Sequence, residues 1–266
     1  MGRETLIRCE GLHKSFNGLK VLTGLDLDVL RGETLVIIGE SGCGKSVLLK
    51  HLIGLLRPDA GRVLFAGTDV AHLAEKELIA IRTRFGMLFQ GSALFDSLNV
   101  LENVAFPLRE HRRLPEGEVR RIVAEKLAVV GLSGSEGKMP ADLSGGMKKR
   151  VALARAIALD PEVILYDEPT TGLDPLHADD INDLIIHTQR TVRATTVIVT
   201  HDIVSACRVA DRIVMLHGGR IITGGSPEEI LNSQVPEMRE FIRGRGGDRL
   251  YQLAPTGGNA AKGVSP

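Results

Sequence analysis

The fold is decided by the segment Gly39-Glu40-Ser41-Gly42-Cys43-Gly44-Lys45-Ser46. It follows Thr34–Ile38, a continuous run of leucine and β-branched residues that predicts a strand buried on both faces. The residues from Lys45 to Leu55 predict a helix. Backbone N–H groups of such a glycine-rich turn converge with the positive N-terminus of the helix, so this segment is expected to bind phosphate.

The spacing G-x-x-x-x-G-K-[ST] gives two side chains of this segment separate tasks. Lys45 is expected to reach the β- and γ-phosphates of a nucleotide, and the hydroxyl of Ser46 to coordinate Mg²⁺. ATP and Mg²⁺ are the predicted cofactors. Cys43 lies beside Lys45 and a helix N-terminus, which predicts a lowered thiol pKa, although a small residue filling a tight turn explains it equally well.

A second chemical element is a pair of acids, Asp167 and Glu168, directly after the apolar run Val163–Tyr166. The carboxyl end of a buried parallel strand opens onto the ligand crevice of an α/β sheet. We expect Asp167 to share the Mg²⁺ shell with Ser46, and Glu168 to deprotonate the attacking water as general base. Together with the phosphate-binding segment, the two acids predict a P-loop nucleoside triphosphatase.

Other β-rich runs alternate with helical patterns, which predicts an α/β fold with a mainly parallel sheet. The predicted strands are Leu25–Val29, Arg62–Phe65, Gly86–Phe89, Thr196–Val199 and Arg212–Leu216. Residues 91–155 read as a helical insertion, with helices over Leu114–Val130 and Gly145–Leu159. We therefore expect one nucleotide-binding domain over residues 1–243. A glycine-, alanine- and proline-rich tail follows over residues 244–266, either loose or anchored on a partner through Tyr251 and Leu253.

Composition limits the function. The 33 basic residues balance the 33 acidic ones, so net charge gives no support to nucleic-acid binding. The three cysteines, Cys9, Cys43 and Cys207, are too far apart for a zinc site and odd in number, which favours a reducing compartment. We expect no signal peptide, and no stretch reaches the roughly 18 apolar residues of a membrane helix. Any membrane contact is therefore expected through a partner.

A second glycine-containing segment, Leu143-Ser144-Gly145-Gly146-Met147, precedes a predicted helix. Ser144 suits the N-cap position, and the two glycines expose N–H groups at the positive helix end, which predicts a second phosphate site without its own lysine. Lys148, Lys149 and Arg150 crowd the same helix start, where cations oppose the helix dipole and a nearby anion would relieve them. A capped helix with a solvated basic face is the alternative.

The run Leu143–Gly146 resembles the signature motif of ABC ATPases, and further landmarks of that family occur in order over roughly residues 6–240. Phe16 takes the place of the adenine-stacking aromatic, usually a tyrosine. Gln90 matches the Q-loop glutamine, expected at Mg²⁺ or the attacking water. Asp174 matches the D-loop and His201 the switch histidine.

The family resemblance implies a P-loop core, an antiparallel N-terminal β subdomain and a helical insertion that contains the signature motif. It also implies a homodimer in which the signature motif of one subunit, with Ser144, Gly145 and Gly146, faces the phosphate loop of the other. ATP then joins the subunits, and hydrolysis opens the dimer to drive a separate membrane permease.

Met147 and the segment around Phe95 and Phe106 are similar to the ATPases of Mla-type phospholipid transport systems. That likeness implies a location on the cytoplasmic face of the inner membrane, with a permease, a small STAS-domain protein and a lipid-binding MCE protein as partners. An importer ATPase for another small solute, a soluble ABC protein of DNA repair or translation, and a P-loop kinase are the alternatives. The last two lack support, because the chain has no long coiled-coil insertion or second cassette, and a kinase needs neither the signature glycines nor His201.

The segment after Gln90 is unusually apolar for a connection between a strand and a helical insertion. It includes Leu94, Phe95, Leu98, Val100 and Phe106. Two interpretations remain open at this point. The side chains either belong to the core, or they form a groove that receives a short helix of the permease.

Overall fold

The computed structural model describes residues 4–244. Its strands are β1 (Thr5–Phe16), β2 (Leu19–Leu30), β3 (Thr34–Ile38), β4 (Ala60–Phe65), β5 (Thr68–Asp69), β6 (Phe85–Leu88), β7 (Val163–Asp167), β8 (Thr195–Thr200), β9 (Arg212–His217) and β10 (Arg220–Gly225). Its α-helices are α1 (Lys45–Leu52), α2 (Glu75–Arg82), α3 (Val100–His111), α4 (Glu116–Val129), α5 (Gly145–Ala156), α6 (Pro175–Val192), α7 (Ile203–Val209), α8 (Pro227–Leu231) and α9 (Pro236–Gly244).

Two sheets organise these elements. The larger has the order β10-β9-β3-β8-β7-β6 and is parallel except for the edge strand β10, which pairs antiparallel with β9. The smaller has the order β2-β1-β4-β5 and is antiparallel throughout. This confirms the predicted α/β class with a mainly parallel sheet and an antiparallel N-terminal β unit.

The helices predicted at both glycine-containing segments exist, but both are shorter than expected. Helix α1 ends at Leu52 because Gly54 adopts a left-handed φ of 68° and lets the N–H of Leu55 return to the carbonyl of Lys50 at 2.8 Å. Helix α5 ends at Ala156, and Asp160 turns the chain with a φ of 55° before β7. Helices α3, α4 and α5 lie between β6 and β7, within the range predicted to be a helical insertion.

The two faces of the larger sheet are covered by separate hydrophobic clusters. Along β3, Val36 and Ile38 face a cluster that includes helices α3 to α7, whereas Leu35 and Ile37 face a cluster with α1 and the N-terminal sheet. All four side chains are fully buried. Burial on both faces explains the unbroken apolar run of this strand and fixes the position of the loop that follows it.

Among residues 4–244, no helix combines the length and the apolar character needed to cross a bilayer. The predicted tail starts at Gly244, which is the last residue of helix α9. The rest of that tail, including Tyr251 and Leu253, lies outside the described residues.

Candidate functional site

The phosphate-binding segment follows β3 directly and ends where α1 begins at Lys45. Gly44 occupies the N-cap with a φ of 107°, and a Cβ there would lie 2.9 Å from the side chain of Val21. A Cβ on Gly39 would lie 2.5 Å from the carbonyl oxygen of Leu216 on β9. These two positions therefore require glycine, and a loop of this kind can line a concave anion site with backbone N–H groups.

Lys45 and Ser46 begin α1 and reach toward the end of β7. Nζ of Lys45 donates hydrogen bonds of 2.9 Å to the carbonyls of Gly39 and Glu40, and lies 3.4 Å from Oε1 of Glu168. Oγ of Ser46 donates to Oδ1 of Asp167 at 2.8 Å. The structure thus brings together the cation, the hydroxyl and both acids that the sequence placed in one site.

Burial changes the acidity of this site. It raises the pKa of Asp167, and the neighbouring carboxylate of Glu168 raises it further, whereas the hydroxyl of Ser46 and the lysines lower it. A divalent cation would reverse the balance, because its charge favours the ionised carboxylate. The hydroxyl of Ser46 and the carboxylate of Asp167 are oxygen ligands of the kind that Mg²⁺ selects, so these residues fit the predicted ion.

Glu168 follows β7 and has a left-handed φ of 49°, which is uncommon for a residue with a side chain. The hydroxyl of Thr171 donates to its Oε2 at 3.1 Å, and Nδ1 of His201 lies 2.8 Å from the same oxygen. His201 follows β8, the parallel neighbour of β7, so both side chains emerge at the same edge of the sheet. The predicted base and the predicted switch histidine are therefore in direct contact.

Two predicted ligands lie at the rim of this site. Gln90 follows β6 and is exposed, and among residues 4–244 no hydrogen bond joins its side chain to Ser46 or Asp167. Phe16 ends β1 with 41% of its area exposed, and Nζ of Lys14 lies 5.5 Å from the ring centroid. The structure leaves that ring accessible to a planar ligand.

The signature segment reaches the surface at Ser144 and Gly145, whereas Leu143 before them is buried. Oγ of Ser144 caps α5 by accepting from the N–H of Met147 at 3.3 Å, which confirms the predicted N-cap. Asp174 caps α6 in the same manner, accepting from the N–H groups of Leu176 and His177 at 3.1 Å. Ser144, Gly145 and Asp174 are all exposed, so the starts of α5 and α6 are accessible from outside this subunit.

Two predictions about charged and ionisable groups need correction. Burial raises the pKa of the Cys43 thiol and Lys45 offsets this only in part, so the predicted lowering is wrong. Lys149 does not form a solvated basic face: it is buried, and its Nζ donates to the carbonyls of Pro169 and Thr171. Nη1 of Arg150 donates to the carbonyl of Val130 at 2.9 Å. Backbone carbonyls within the subunit therefore stabilise these two cations.

Sequence reasoning missed two residues that hold the loop after Gln90. Arg155 of α5 donates to the carbonyls of Ala93 and Ser92 at 2.8 and 3.0 Å, and its guanidinium lies 5.6 Å from the ring centroid of Phe95. Asn103 of α3 is fully buried; its amide accepts from the N–H of Phe95 and donates to the carbonyl of the same residue. Polar residues inside apolar helical stretches were the available signal.

The apolar segment after Gln90 divides between core and surface. Leu94 is half-buried and packs against the core cluster that contains α3 to α7. Phe89, Phe95 and Phe106 have 38%, 41% and 40% of their area exposed, and the rings of Phe95 and Phe106 lie 4.7 Å apart. The core interpretation therefore holds for Leu94, whereas the rings of Phe95 and Phe106 are partly exposed, and a groove for a permease helix stays a prediction.

A phosphate loop after β3, two acids at the end of β7 in the same parallel sheet and a histidine in contact with the second acid define a P-loop ATPase. A family model described as ABC transporter matches residues 22–171, and the chain belongs to that family. It is 48% identical over 239 residues to the probable ribonucleotide transport ATP-binding protein mkl of Mycobacterium leprae, covering 90% of this chain and 69% of that one.

Two further similarities extend this result. The intermembrane phospholipid transport system ATP-binding protein MlaF of Haemophilus influenzae is 42% identical over 241 residues, which cover 91% of each chain. The dimeric structure of the ATP-binding cassette MJ0796 in a post-hydrolysis state, bound to ADP and Pi, superposes with a TM-score of 0.76 at 31% identity, covering 83% of this chain and 98% of that one. The chain is thus an ATP-hydrolysing subunit of the ABC transporter type.

Proposed function

We propose that two copies of this chain form a head-to-tail dimer around two ATP molecules and drive a separate membrane permease. The observation that carries this proposal is the division of the site. Lys45, Ser46, Asp167, Glu168 and His201 lie together, whereas the capped end of α5 at Ser144 is exposed. Among residues 4–244, no hydrogen bond or ion pair joins Ser144 to those five side chains. A second copy supplies the Ser144 segment by two-fold symmetry. The dimer of the similar cassette MJ0796 supports this arrangement.

In each site, the loop from Gly39 to Ser46 would bind the phosphates and Phe16 would stack on the adenine. Ser46, Asp167 and Gln90 would hold Mg²⁺, which neutralises charge on the phosphates when bound. Glu168 takes the proton of the attacking water, and His201, 2.8 Å from its carboxylate, fixes the orientation of that group. Ser144, Gly145, Gly146 and Asp174 of the other subunit complete the site at the γ-phosphate side.

The permease would dock on the surface formed by Phe95 and Phe106, whose ring centroids lie 4.7 Å apart and which we call the aromatic patch. Its position supports this role, because Phe95 lies on the loop that begins at Gln90 and that Arg155 and Asn103 hold. A change at Gln90 therefore reaches the patch through a short, hydrogen-bonded loop. Exposed aromatic rings are frequent anchors of protein interfaces.

For the cargo, we propose phospholipid transport of the Mla type, with a STAS-domain protein and an MCE-domain lipid-binding protein as further partners. The ATPase would then lie on the cytoplasmic face of the inner membrane through its permease. The named function of the Haemophilus relative and its matching length support this proposal. The second candidate is ribonucleotide transport, which the name of the Mycobacterium relative favours.

The test is to purify the tagged chain from detergent-solubilised membranes and to identify the co-purifying proteins and lipids by mass spectrometry. Phospholipid transport predicts a permease together with MCE and STAS proteins, and ATP hydrolysis by the complex that responds to phospholipid vesicles. A complex that lacks an MCE protein and responds to ribonucleotides instead would support the second candidate. Recovery of no membrane protein would contradict both.

A further inference from the structure

The helix that begins at the signature segment contains a buried cation, Lys149. Its Nζ donates to the carbonyl of Pro169 and, at 3.1 Å, to the carbonyl of Thr171. Only 7% of the residue is exposed, and among residues 4–244 no carboxylate pairs with it. An unpaired buried ammonium is costly, so the two carbonyls that receive it must be held in fixed positions.

Those two carbonyls belong to the turn that contains the proposed base. The N–H of Thr171 donates to the carbonyl of Glu168 at 3.2 Å, and the hydroxyl of Thr171 donates to Oε2 of Glu168 at 3.1 Å. Glu168 itself has the left-handed φ of 49°. A backbone in that region keeps its conformation only where its surroundings impose it, and Lys149 is the side chain that contacts the turn from α5.

We propose that Lys149 is a positioning residue for Glu168, through which the signature helix of a subunit sets the geometry of the base in that same subunit. The path runs from α5 through Lys149 to the carbonyls of Pro169 and Thr171, and from Thr171 to the carboxylate. In the proposed dimer, the N-terminus of α5 faces the ATP of the other site, so the contact of Lys149 lets one site control hydrolysis in the other. This coupling between the two sites rests on the proposed function.

The test variant is Lys149→Met, which preserves side-chain length and removes the donor. A misplacement of about 1 Å in a catalytic group costs up to about 100-fold in rate, so we expect kcat for ATP to fall at least about tenfold. The KM for ATP should change less than about twofold, because among residues 4–244 the side chain of Lys149 forms no hydrogen bond or ion pair with the phosphate loop. Slow hydrolysis should also raise the fraction of dimer in Mg·ATP, an effect that a general loss of stability does not produce.

Arg150→Met is the matched control. Arg150 is the next residue of the same helix and also donates to a backbone carbonyl, that of Val130 at 2.9 Å, but it points to the end of α4 and away from Glu168. Both variants lose one cation from α5. Only Lys149→Met should lower kcat while Arg150→Met keeps it within about threefold, and equal losses in the two variants would overturn the proposal.

Thr171→Val tests the same path from its other end, because it removes the hydroxyl at a half-buried loop position and nearly preserves the size of the side chain. It should lower kcat about three- to tenfold. The decrease of kcat in the double variant with Lys149→Met should be smaller than the product of the two single decreases, because both substitutions act on one turn. If Lys149→Met does not fold, wild-type kcat in Thr171→Val overturns the inference by itself. If Lys149→Met keeps the wild-type kcat while Glu168→Gln is inactive, the positioning role of Lys149 is refuted. If Glu168→Gln is itself active, the assignment of Glu168 as the base is refuted instead.

Discussion

Nζ of Lys45 lies 3.4 Å from Oε1 of Glu168. The phosphate loop and the proposed base thus share one electrostatic environment, with the imidazole of His201 on the second carboxylate oxygen at 2.8 Å. A negatively charged phosphate near Lys45 competes with this carboxylate for the same cation. We therefore expect nucleotide binding to affect the orientation of the proposed base within one subunit.

Replacing Glu168 by Gln removes basicity and keeps the size and hydrogen-bonding reach of the side chain. We expect ATP to bind with near wild-type affinity and turnover to fall at least about 100-fold, because a positioned base contributes about 10²–10⁴ in rate. The ATP-bound dimer should accumulate in Mg·ATP, because hydrolysis no longer dissociates it. Steady-state ATPase assays and sedimentation measure the two effects.

Glu162→Gln is the control for that variant, since Glu162 precedes the same strand at its opposite end and pairs with Arg84 and Arg31 at the surface. It should keep wild-type turnover. Retention of more than about a tenth of the activity in Glu168→Gln would remove this residue from the role of base.

Alkylation of Cys43 should be slow at neutral pH, because burial raises the pKa of its thiol and only the thiolate reacts. As long as the pH is below that pKa, the rate of modification by a maleimide should rise about tenfold for each unit by which the pH is increased. Modified protein should lose ATP affinity, and bound ATP should protect, because the side chain lies inside the phosphate loop. Mass spectrometry of peptides at timed intervals gives the rates.

Cys207 serves as an internal reference in the same experiment. It is half-buried outside the phosphate loop, and burial raises the pKa of its thiol to about 11. Its modification should neither lower ATP affinity nor be slowed by ATP. Undiminished nucleotide binding by protein labelled at Cys43 would contradict the assigned position of that residue.

Two aspartate substitutions separate the core from the aromatic patch. Leu94→Asp should destabilise the fold by about 2–4 kcal/mol, because a charge enters a half-buried position against the core. Phe95→Asp should leave the melting temperature and ATP binding nearly unchanged, since much of the ring is exposed. It should abolish co-purification of the permease, as measured by pull-down from solubilised membranes.

Ile222→Asp is the matched surface control for Phe95→Asp. Ile222 has 36% of its area exposed on β10, at the edge of the larger sheet opposite to β6. It should retain the permease. A folded Phe95→Asp variant that also retains the permease would exclude the aromatic patch as the docking surface.

Stability should fall on acidification through His51. This side chain is almost fully buried on α1, with Nδ1 2.7 Å from the carbonyl of Val47, and burial lowers its pKa, with Lys14 adding to the effect and Asp59 opposing it. Below about pH 6.5, His51 is protonated in the unfolded chain but not in the folded chain. Its contribution to the free energy of unfolding is therefore complete above that pH and is lost as the pH decreases.

Thermal melts at pH 7.5 and 5.5 measure this effect. His51→Leu should show a smaller decrease of Tm over that interval than the wild type, because the variant has no proton to gain at this position. His111→Leu, at an exposed position on α3, should keep the wild-type decrease. An unchanged decrease in His51→Leu would show that acid sensitivity arises elsewhere.

The positions that the sequence predicted and the structure shows are those encoded by local order. The loop from Gly39 to Ser46 joins a buried strand to a helix, and Asp167 with Glu168 follows a strand whose burial is visible in its composition. Ser144 was predicted as an N-cap for the same reason. Such features depend on a few adjacent positions, so they can be read without tertiary structure.

The parts that it did not predict depend on distant partners. Lys149 and Arg155 donate to backbone carbonyls, which every residue possesses, so no sequence pattern marks the acceptor. The acidity of Cys43 is set by burial in the folded chain, which outweighs the local charge of Lys45. The edge strand β10 follows a tight turn at Gly218 and Gly219 and alternates too weakly to be distinguished from a loop.

Strand β3 has a consequence for the synthesis of the chain. Its neighbours in the sheet are β8 and β9, so that Thr34 pairs with Thr196 and Leu35 with Arg212. At about 5–20 residues per second, the ribosome needs roughly 10–30 s to add the residues between these partners. During that interval both edges of the apolar strand β3 lack their partners, so the strand can associate with other nascent chains. A variant with low yield but a normal melting temperature after purification would then be one whose nascent chain aggregates before synthesis is complete.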